Sequence, residues 1–227
     1  MILLRKWRLL SAKERVLAAL LWVGGLAILT LGVVLTINGH LGAGGVDAMN
    51  FAMAERLGVN TSVAIYITGV VSVALAALVR RGRPNVLAFG ASLVMGLFTD
   101  LWKQVLAGVQ GVLLWEKILI FAAGLVCIAL AVALTMCSVF PGSPVDDLLK
   151  AFVERGKRAS LVKILIEGFC GGIAYLLGGE LGLGTLLVVF GLGPMIDLFR
   201  TWLVRAHLDV DGKVRALLAG EGEGHES

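Results

Sequence analysis

Six long apolar runs restrict what this chain can fold into. A bilayer core roughly 30 Å thick is crossed by a helix of about 20 apolar residues, and each run is close to or above that length. Across the chain, 58% of residues are hydrophobic and 16% are charged, unlike a soluble domain. The sequence therefore predicts an all-α, polytopic membrane protein with six transmembrane helices. Their approximate bounds are 16–38, 61–79, 85–106, 114–138, 160–178 and 182–203.

The connectors between the runs predict how the spans follow one another. Three connectors are short and favour antiparallel neighbours, so the fifth and sixth spans, joined at 178–180, are expected to form a tight hairpin. Two connectors, 39–60 and 139–159, are long enough to hold a short helix each. We place these short helices at 46–57 and 145–156. Their sequences leave open whether they re-enter the membrane or lie at its interface.

The basic residues predict the orientation of the chain. If six spans alternate, 17 of the 20 Lys and Arg residues share the side of the N-terminus, and the other side holds only Arg56, Lys103 and Lys117. Because cytoplasmic loops retain positive charge, both termini are expected in the cytoplasm. Residues 1–15 then form a basic cytoplasmic N-terminus. Residues 204–227 form a cytoplasmic tail with a short amphipathic stretch on the membrane surface and a disordered end.

Two motifs recur at a nearly constant spacing and indicate an internal repeat. Gly44–Asp47 is followed by a similar segment, Ser143–Asp146, 99 residues later. Gly96–Leu101 is followed by Gly193–Leu198, 97 residues later. The repeat divides the membrane domain into 16–106 and 107–203. Since each half contains three spans, an odd number, the second half is expected to be inverted relative to the first.

The same residues resemble a known family. Gly45–Asp47 and Pro144–Asp146 each open a short helix, Glu167 lies within a span, and Leu181–Thr185 and Gly191–Leu198 follow. This pattern, over roughly residues 15–203, resembles the YczE/YyaS/YitT family of bacterial membrane proteins. The resemblance implies a protein of the bacterial inner membrane, without implying any particular activity.

Carboxylates inside apolar spans are the first candidates for a functional site. Burying a charge near the bilayer centre costs at least ~2.5–3.5 kcal/mol, so such residues need a partner or water. Glu167 and Asp197 lie at a similar depth on the fifth and sixth spans, and we expect them to share a polar cavity that binds a coupling proton or a solute. The alternatives are a packing role for Glu167 and an ion pair of Asp197 with Arg200.

Four further candidates follow from the repeat. Thr68 and Asp100 occupy the positions in the first half that match Glu167 and Asp197. Asp100 has the alternative of extending toward the interface beside Lys103. Asp47 and Asp146 begin the two short helices, where an acidic residue either caps the helix or accompanies free N–H groups that face a solute.

Several types of chemistry have no motif in this sequence. No phosphate-binding loop, nucleophile elbow or zinc-protease motif is present, so neither an enzyme nor a cofactor is expected. The three histidines are isolated, and the three cysteines lack the spacing of a metal site, which argues against bound metal. The basic residues flank apolar runs without forming a patch with aromatic residues, so nucleic acid is not an expected partner.

Two functional hypotheses remain alongside a weaker third. Inverted halves, carboxylates in spans and helices interrupted by Gly or Pro favour a permease or exporter of a small, unidentified solute. A small chain without a soluble domain is also compatible with a scaffold or assembly partner of another membrane protein. A membrane-embedded enzyme is disfavoured because no nucleophile and base are paired. Six helices are few for a monomeric carrier, so a homodimer is a further hypothesis.

Overall fold

The computed structural model describes residues 7, 9–179 and 181–223, and this part of the chain is all-helical. Predictions about Arg5, Lys6, Arg8 and Glu180, and about the end of the tail at 224–227, lie outside the described residues. The helices are α1 (Ala12–Asn38), α2 (Gly45–Leu57), α3 (Thr61–Arg80), α4 (Val86–Val105), α5 (Leu114–Cys137), α6 (Pro144–Glu154), α7 (Ala159–Leu176), α8 (Leu183–Arg205) and α9 (Val210–Glu223).

Most of the predicted spans are confirmed as helices. Within the described residues, α1, α3, α4, α5 and α8 are long and apolar enough to cross a membrane. The predicted fifth span corresponds to α7, an 18-residue helix that is not among those five. The two predicted short helices are present as α2 and α6. The count of six spans stays a prediction.

Capping residues fix where two of the helices begin. Ser11 and Glu14 form a capping box at α1, in which the Ser11 N–H donates to Glu14 Oε2 at 2.8 Å. Ser143 and Asp146 form the same motif at α6. Each box gives hydrogen-bond partners to N–H groups that the helix itself leaves free. The start of each of these helices is therefore encoded by a local Ser-x-x-acid pattern.

The centre of the bundle is a close antiparallel crossing of α1 and α5. A Cβ atom on Gly25 would lie 2.7 Å from Thr135 Cγ2, and one on Gly124 would lie 2.8 Å from Thr36 Cγ2. Gly124 and Thr135 follow Gly25 and Thr36 by 99 residues each, so the two contacts are equivalent. The contact order is reversed along α5, which makes the crossing antiparallel. Side chains larger than glycine would force these backbones apart.

Helix packing repeats the same relation between the two halves. Helix α4 packs on α1 as α8 packs on α5, and α2 packs on α7 as α6 packs on α3. One pair departs from this equivalence. Helix α3 packs along α4, whereas α7 packs mainly on α2 and does not pack extensively along α8. The predicted tight hairpin of the fifth and sixth spans is therefore wrong, because the short connection fixes only where the two helix ends lie.

One end of the bundle is sealed by the C-terminal segment. Val210 and Val214 of α9 are buried against Leu10, Cys137 and Leu203. The sequence predicts that this stretch lies on the membrane surface and that disorder follows it, whereas the structure packs its first turns on the bundle and continues the helix to Glu223. The reason is an apolar cluster at the ends of α1, α5 and α8, which the tail covers.

Candidate functional site

A cavity of about 160 Å³ lies where the two halves meet. Each of the helices α1 to α8 contributes at least one residue to its lining. A single water needs roughly 10–15 Å³ on this scale, so the cavity has room for several waters or for a small solute. The site is therefore built by the whole bundle and not by one element.

The cavity lining is nearly symmetric between the two halves. Sixteen of its 22 residues form eight pairs separated by 99 or 97 residues. These are the spacings of the internal repeat, so equivalent positions of both halves line one space. The pairs are Leu29 and Ile128, Val33 and Val132, Gly44 and Ser143, Val46 and Val145, Asp47 and Asp146, Thr68 and Glu167, Ser92 and Val189, and Met95 and Leu192.

The start of α2 rests directly on α7 beside Glu167. A Cβ atom at Gly45 would lie 2.1 Å from the Glu167 carbonyl oxygen, so only glycine allows this approach. The Val46 N–H donates to Glu167 Oε2 at 3.4 Å. The N-terminus of a helix carries partial positive charge and attracts a carboxylate. The close approach at Gly45 and the partial positive charge at the N-terminus of α2 together hold Glu167 at the cavity wall.

Asp47 lies in the cavity wall near two other carboxylates. Burial raises the pKa of Asp47, and the nearby carboxylates of Glu167 and Asp146 raise it further. Among the described residues, no hydrogen bond to the Asp47 side chain opposes this effect. Lys163, one helical turn before Glu167 on α7, also lines the cavity. Asp47 is therefore suited to take up a proton near neutral pH.

Asp146 has different surroundings from Asp47, although the two occupy equivalent positions. It is exposed, and its Oδ2 accepts from Ser143 Oγ at 2.9 Å and from the Ser143 N–H at 3.2 Å. The capping alternative therefore describes Asp146. At α2 the capping position is Gly44, which has no side chain to accept a hydrogen bond, so Asp47 is left facing the cavity.

Three polar residues that line the cavity were not predicted from the sequence, namely Asn50, Ser92 and Lys163. The Thr68 hydroxyl donates to Asn50 Oδ1 at 2.6 Å, and Asn50 is buried. The Ser92 hydroxyl is buried and has no hydrogen-bond partner in the described part of the chain. An unsatisfied buried hydroxyl costs about 1–3 kcal/mol, which favours a water or solute partner. Asn50 lies three residues after Asp47, and Lys163 lies four residues before Glu167. Both spacings signal a shared helix face, but the lone Ser92 has no such signal.

Two predicted site residues do not line the cavity. Asp100 Oδ1 accepts from the Ser62 N–H at 3.2 Å and so caps α3, while Lys103 donates to Thr61 Oγ1 at 2.7 Å. Asp197 is exposed on α8. The predicted cavity shared by Glu167 and Asp197 is not formed, because depth along a helix does not fix the direction in which a side chain points. Glu167 instead faces Asp47.

The polar groups that line the cavity are carboxylates, hydroxyls, one amide and one ammonium group. Such groups bind protons and polar solutes through charge and hydrogen bonds. Among residues 7, 9–179 and 181–223, no group of three or more His, Cys, Asp or Glu side chains is arranged to hold a metal ion.

Comparisons with known proteins agree with the resemblance seen in the sequence. The chain is 28% identical over 177 residues to "Uncharacterized protein YyaS" of Bacillus subtilis (strain 168), covering 77% of this chain and 88% of that protein. It is 27% identical over 186 residues to "Uncharacterized membrane protein YczE" of the same organism, covering 81% of this chain and 86% of that protein. No solved structure matches significantly.

The family assignment rests on a match over most of the chain. A family model described as "Family of unknown function (DUF6198)" matches residues 16–201. The match begins and ends close to the first and last predicted spans. This chain is thus an integral membrane protein that belongs to the family DUF6198.

Proposed function

We propose that this protein is a carrier for a small solute in the inner membrane of a bacterium. Asp47 and Glu167 take the coupling proton or the polar group of the solute, and Thr68, Asn50 and Ser92 supply further hydrogen-bonding groups. The observation that carries the proposal is the cavity, to which both halves contribute equivalent residues and carboxylates. Secondary transporters bind their substrates at such interfaces between repeats, beside the N-termini of short helices.

The proposal includes six spans in two inverted halves, with α7 as the fifth span. The antiparallel crossing of α1 and α5 supports this arrangement, because a two-fold axis that exchanges antiparallel spanning helices lies in the membrane plane. Lys163 and Glu167 of α7 both line the cavity. Polar residues inside a span are expected where the span faces an aqueous site.

The proposed orientation places both termini in the cytoplasm. The bundle end that contains the start of α1 and the ends of α3 and α8 is also the end with most Lys and Arg residues. The positive-inside rule assigns that end to the cytoplasm.

The unequal packing of the two halves supports alternating access. Helix α3 is closed on α4, where Asp100 caps it at Ser62, whereas α7 is separated from most of α8. The equivalent pair in the second half is Asp197 with the Leu161 N–H. In the proposed opposite state, α7 closes on α8 and Asp197 accepts from Leu161, while α3 opens from α4. A carrier needs two helix packings of similar energy, because each packing exposes the same binding site to a different side of the membrane.

Proteoliposomes that enclose a pH-sensitive dye test this function. With wild-type protein, at least one class among amino acids, small amines and small carboxylates should cause protein-dependent proton movement. Asp47→Asn keeps the shape of the side chain but cannot take up a proton, so the proton movement should be lost. If every class gives the same signal with wild-type protein as with empty liposomes, the chain is better described as a scaffold or assembly partner.

A further inference from the structure

A long apolar groove runs along the outside of the bundle, next to the polar cavity. Its walls are formed by α3 and α7, including Ile67, Leu165 and Phe169, and its floor by α2 and α6, including Met53 and Leu148. The groove has a volume of about 710 Å³. Thr68 and Val145 line both the groove and the cavity, so whatever fills the groove lies directly against the cavity wall.

The two short helices keep this groove open. Helix α2 packs on α7 and α6 packs on α3, so both stand between the walls and prevent α3 from closing directly on α7. An empty apolar groove of this size would forfeit the dispersion contacts of its lining. In a bilayer, an acyl chain is the apolar molecule available to restore them.

One end of the groove is positively charged, because two cations line it. Lys157 and Arg158 line the groove, are exposed, and form no ion pair among the described residues. Two acidic groups of the neighbouring helix α6, Asp147 and Glu154, are both paired with Arg80, and the third, Asp146, is bonded to Ser143. The other lining residues of the groove are uncharged. The charged end therefore suits a negative group whose remaining part is apolar.

The groove is longer than one leaflet of a bilayer is thick. Its lining along α7 and the residue before it extends from Arg158 to Ile173, which is roughly 22 Å at 1.5 Å per residue. One leaflet contributes about half of the roughly 30 Å hydrocarbon core. An acyl chain anchored at Lys157 and Arg158 can thus lie in the groove through the full depth of its leaflet.

From this geometry we infer that the groove is a binding site for an anionic phospholipid, with its phosphate at Lys157 and Arg158 and an acyl chain between α3 and α7. Basic pockets between membrane helices bind anionic headgroups in this way. The inference goes beyond the proposed transport function and does not depend on it, since the site lies outside the cavity.

Native mass spectrometry of the full-length protein with added phosphatidylglycerol or phosphatidylcholine tests the site. Wild-type protein should bind phosphatidylglycerol more tightly than phosphatidylcholine. The double variant K157Q/R158Q should weaken phosphatidylglycerol binding by roughly 30-fold, since each basic residue near an anionic headgroup contributes on the order of a fivefold change in affinity. Binding of phosphatidylcholine should not change. Leu165→Trp, which fills the groove, should weaken binding of both lipids.

The matched control is R81Q/R83Q, which removes two exposed cations from the same end of the bundle but outside the groove. It should change phosphatidylglycerol binding by less than about threefold, because distant charges are screened. Equal losses in the two double variants would overturn the site, as would a wild-type protein that does not distinguish the lipids. The proposal also fails if Leu165→Trp dissociates a dimer without affecting lipid binding, because the groove would then be covered by a second copy of this chain.

Discussion

Gly45→Ala should lower the apparent melting temperature of the purified protein by roughly 10 °C, or prevent its folding. The new Cβ would stand 2.1 Å from the Glu167 carbonyl oxygen, far inside van der Waals contact. Overpacking typically costs 1–3 kcal/mol, and the cost at Gly45 belongs at the upper end because backbone of α2 meets backbone of α7 and neither can rotate away. Thermal unfolding monitored by intrinsic fluorescence in detergent measures the effect.

Gly168→Ala is the matched control for this prediction. Gly168 follows Glu167 on the same helix, and a Cβ there would meet no atom within 4 Å. Alanine has the better helix propensity by about 1 kcal/mol, so the melting temperature should stay the same or rise slightly. If both substitutions have the same effect, the close approach of α2 to α7 is incorrect, and with it the position assigned to Glu167.

Asp47→Asn should stabilise the protein at pH 8 and do so much less at pH 5. Burial and the neighbouring carboxylates raise the pKa of Asp47, so the folded state holds its proton more tightly than the unfolded state. The tighter binding of this proton stabilises the folded state. Its contribution is fully present below the ordinary carboxyl pKa and is lost as the pH rises through the raised pKa of Asp47. Asparagine has no charge to bury and avoids this loss. The expected gain at pH 8 is on the order of 5 °C, since a tenfold bias in protonation corresponds to ~1.4 kcal/mol.

Melting temperatures across this pH range, with Asp146→Asn as the control, distinguish the two equivalent aspartates. Asp146 is exposed and accepts hydrogen bonds from Ser143, so its replacement should give no gain at pH 8 and a loss of about 1 kcal/mol from weaker capping. Glu167, Asp146 and Lys163 share the cavity with Asp47, and each stays in place in Asp47→Asn. A destabilised Asp47→Asn protein at pH 8 would mean that Asp47 is stabilised in its charged form.

Much of this fold could be predicted from the sequence because the bilayer dictates helix length. The described spans begin and end within about four residues of the apolar runs, since charge and Gly or Pro clusters mark where a helix leaves the hydrocarbon core. The short helices were also predictable, from connectors too long for a turn. Their packing was not, because the contact of α2 with α7 depends on a backbone approach at Gly45 that no residue pattern encodes.

The site was only partly predictable. The spacing of 99 residues relates Asp47 to Asp146 and Thr68 to Glu167, and the structure brings all four to one cavity. Equal depth on the fifth and sixth spans predicts that Asp197 shares the cavity with Glu167. This prediction is wrong because the position of Asp197 also depends on the rotation of α8 and on its separation from α7. Ser92 lies in an apolar run where a single hydroxyl is common and usually bonds to its own helix, so its missing partner is visible only in three dimensions.

Two-sided access to the cavity is the most direct test of the carrier account. A cysteine at Ser92, or at the equivalent position Val189, is placed in a background without Cys127, Cys137 and Cys170. A small membrane-impermeant thiol reagent is then applied separately to each side. The account predicts labelling from both sides, while cysteines at Arg81 and Gln110 label only from the cytoplasm and only from outside, respectively. Labelling of both cavity positions from a single side, or from neither, with the two sidedness controls behaving as expected, would contradict it.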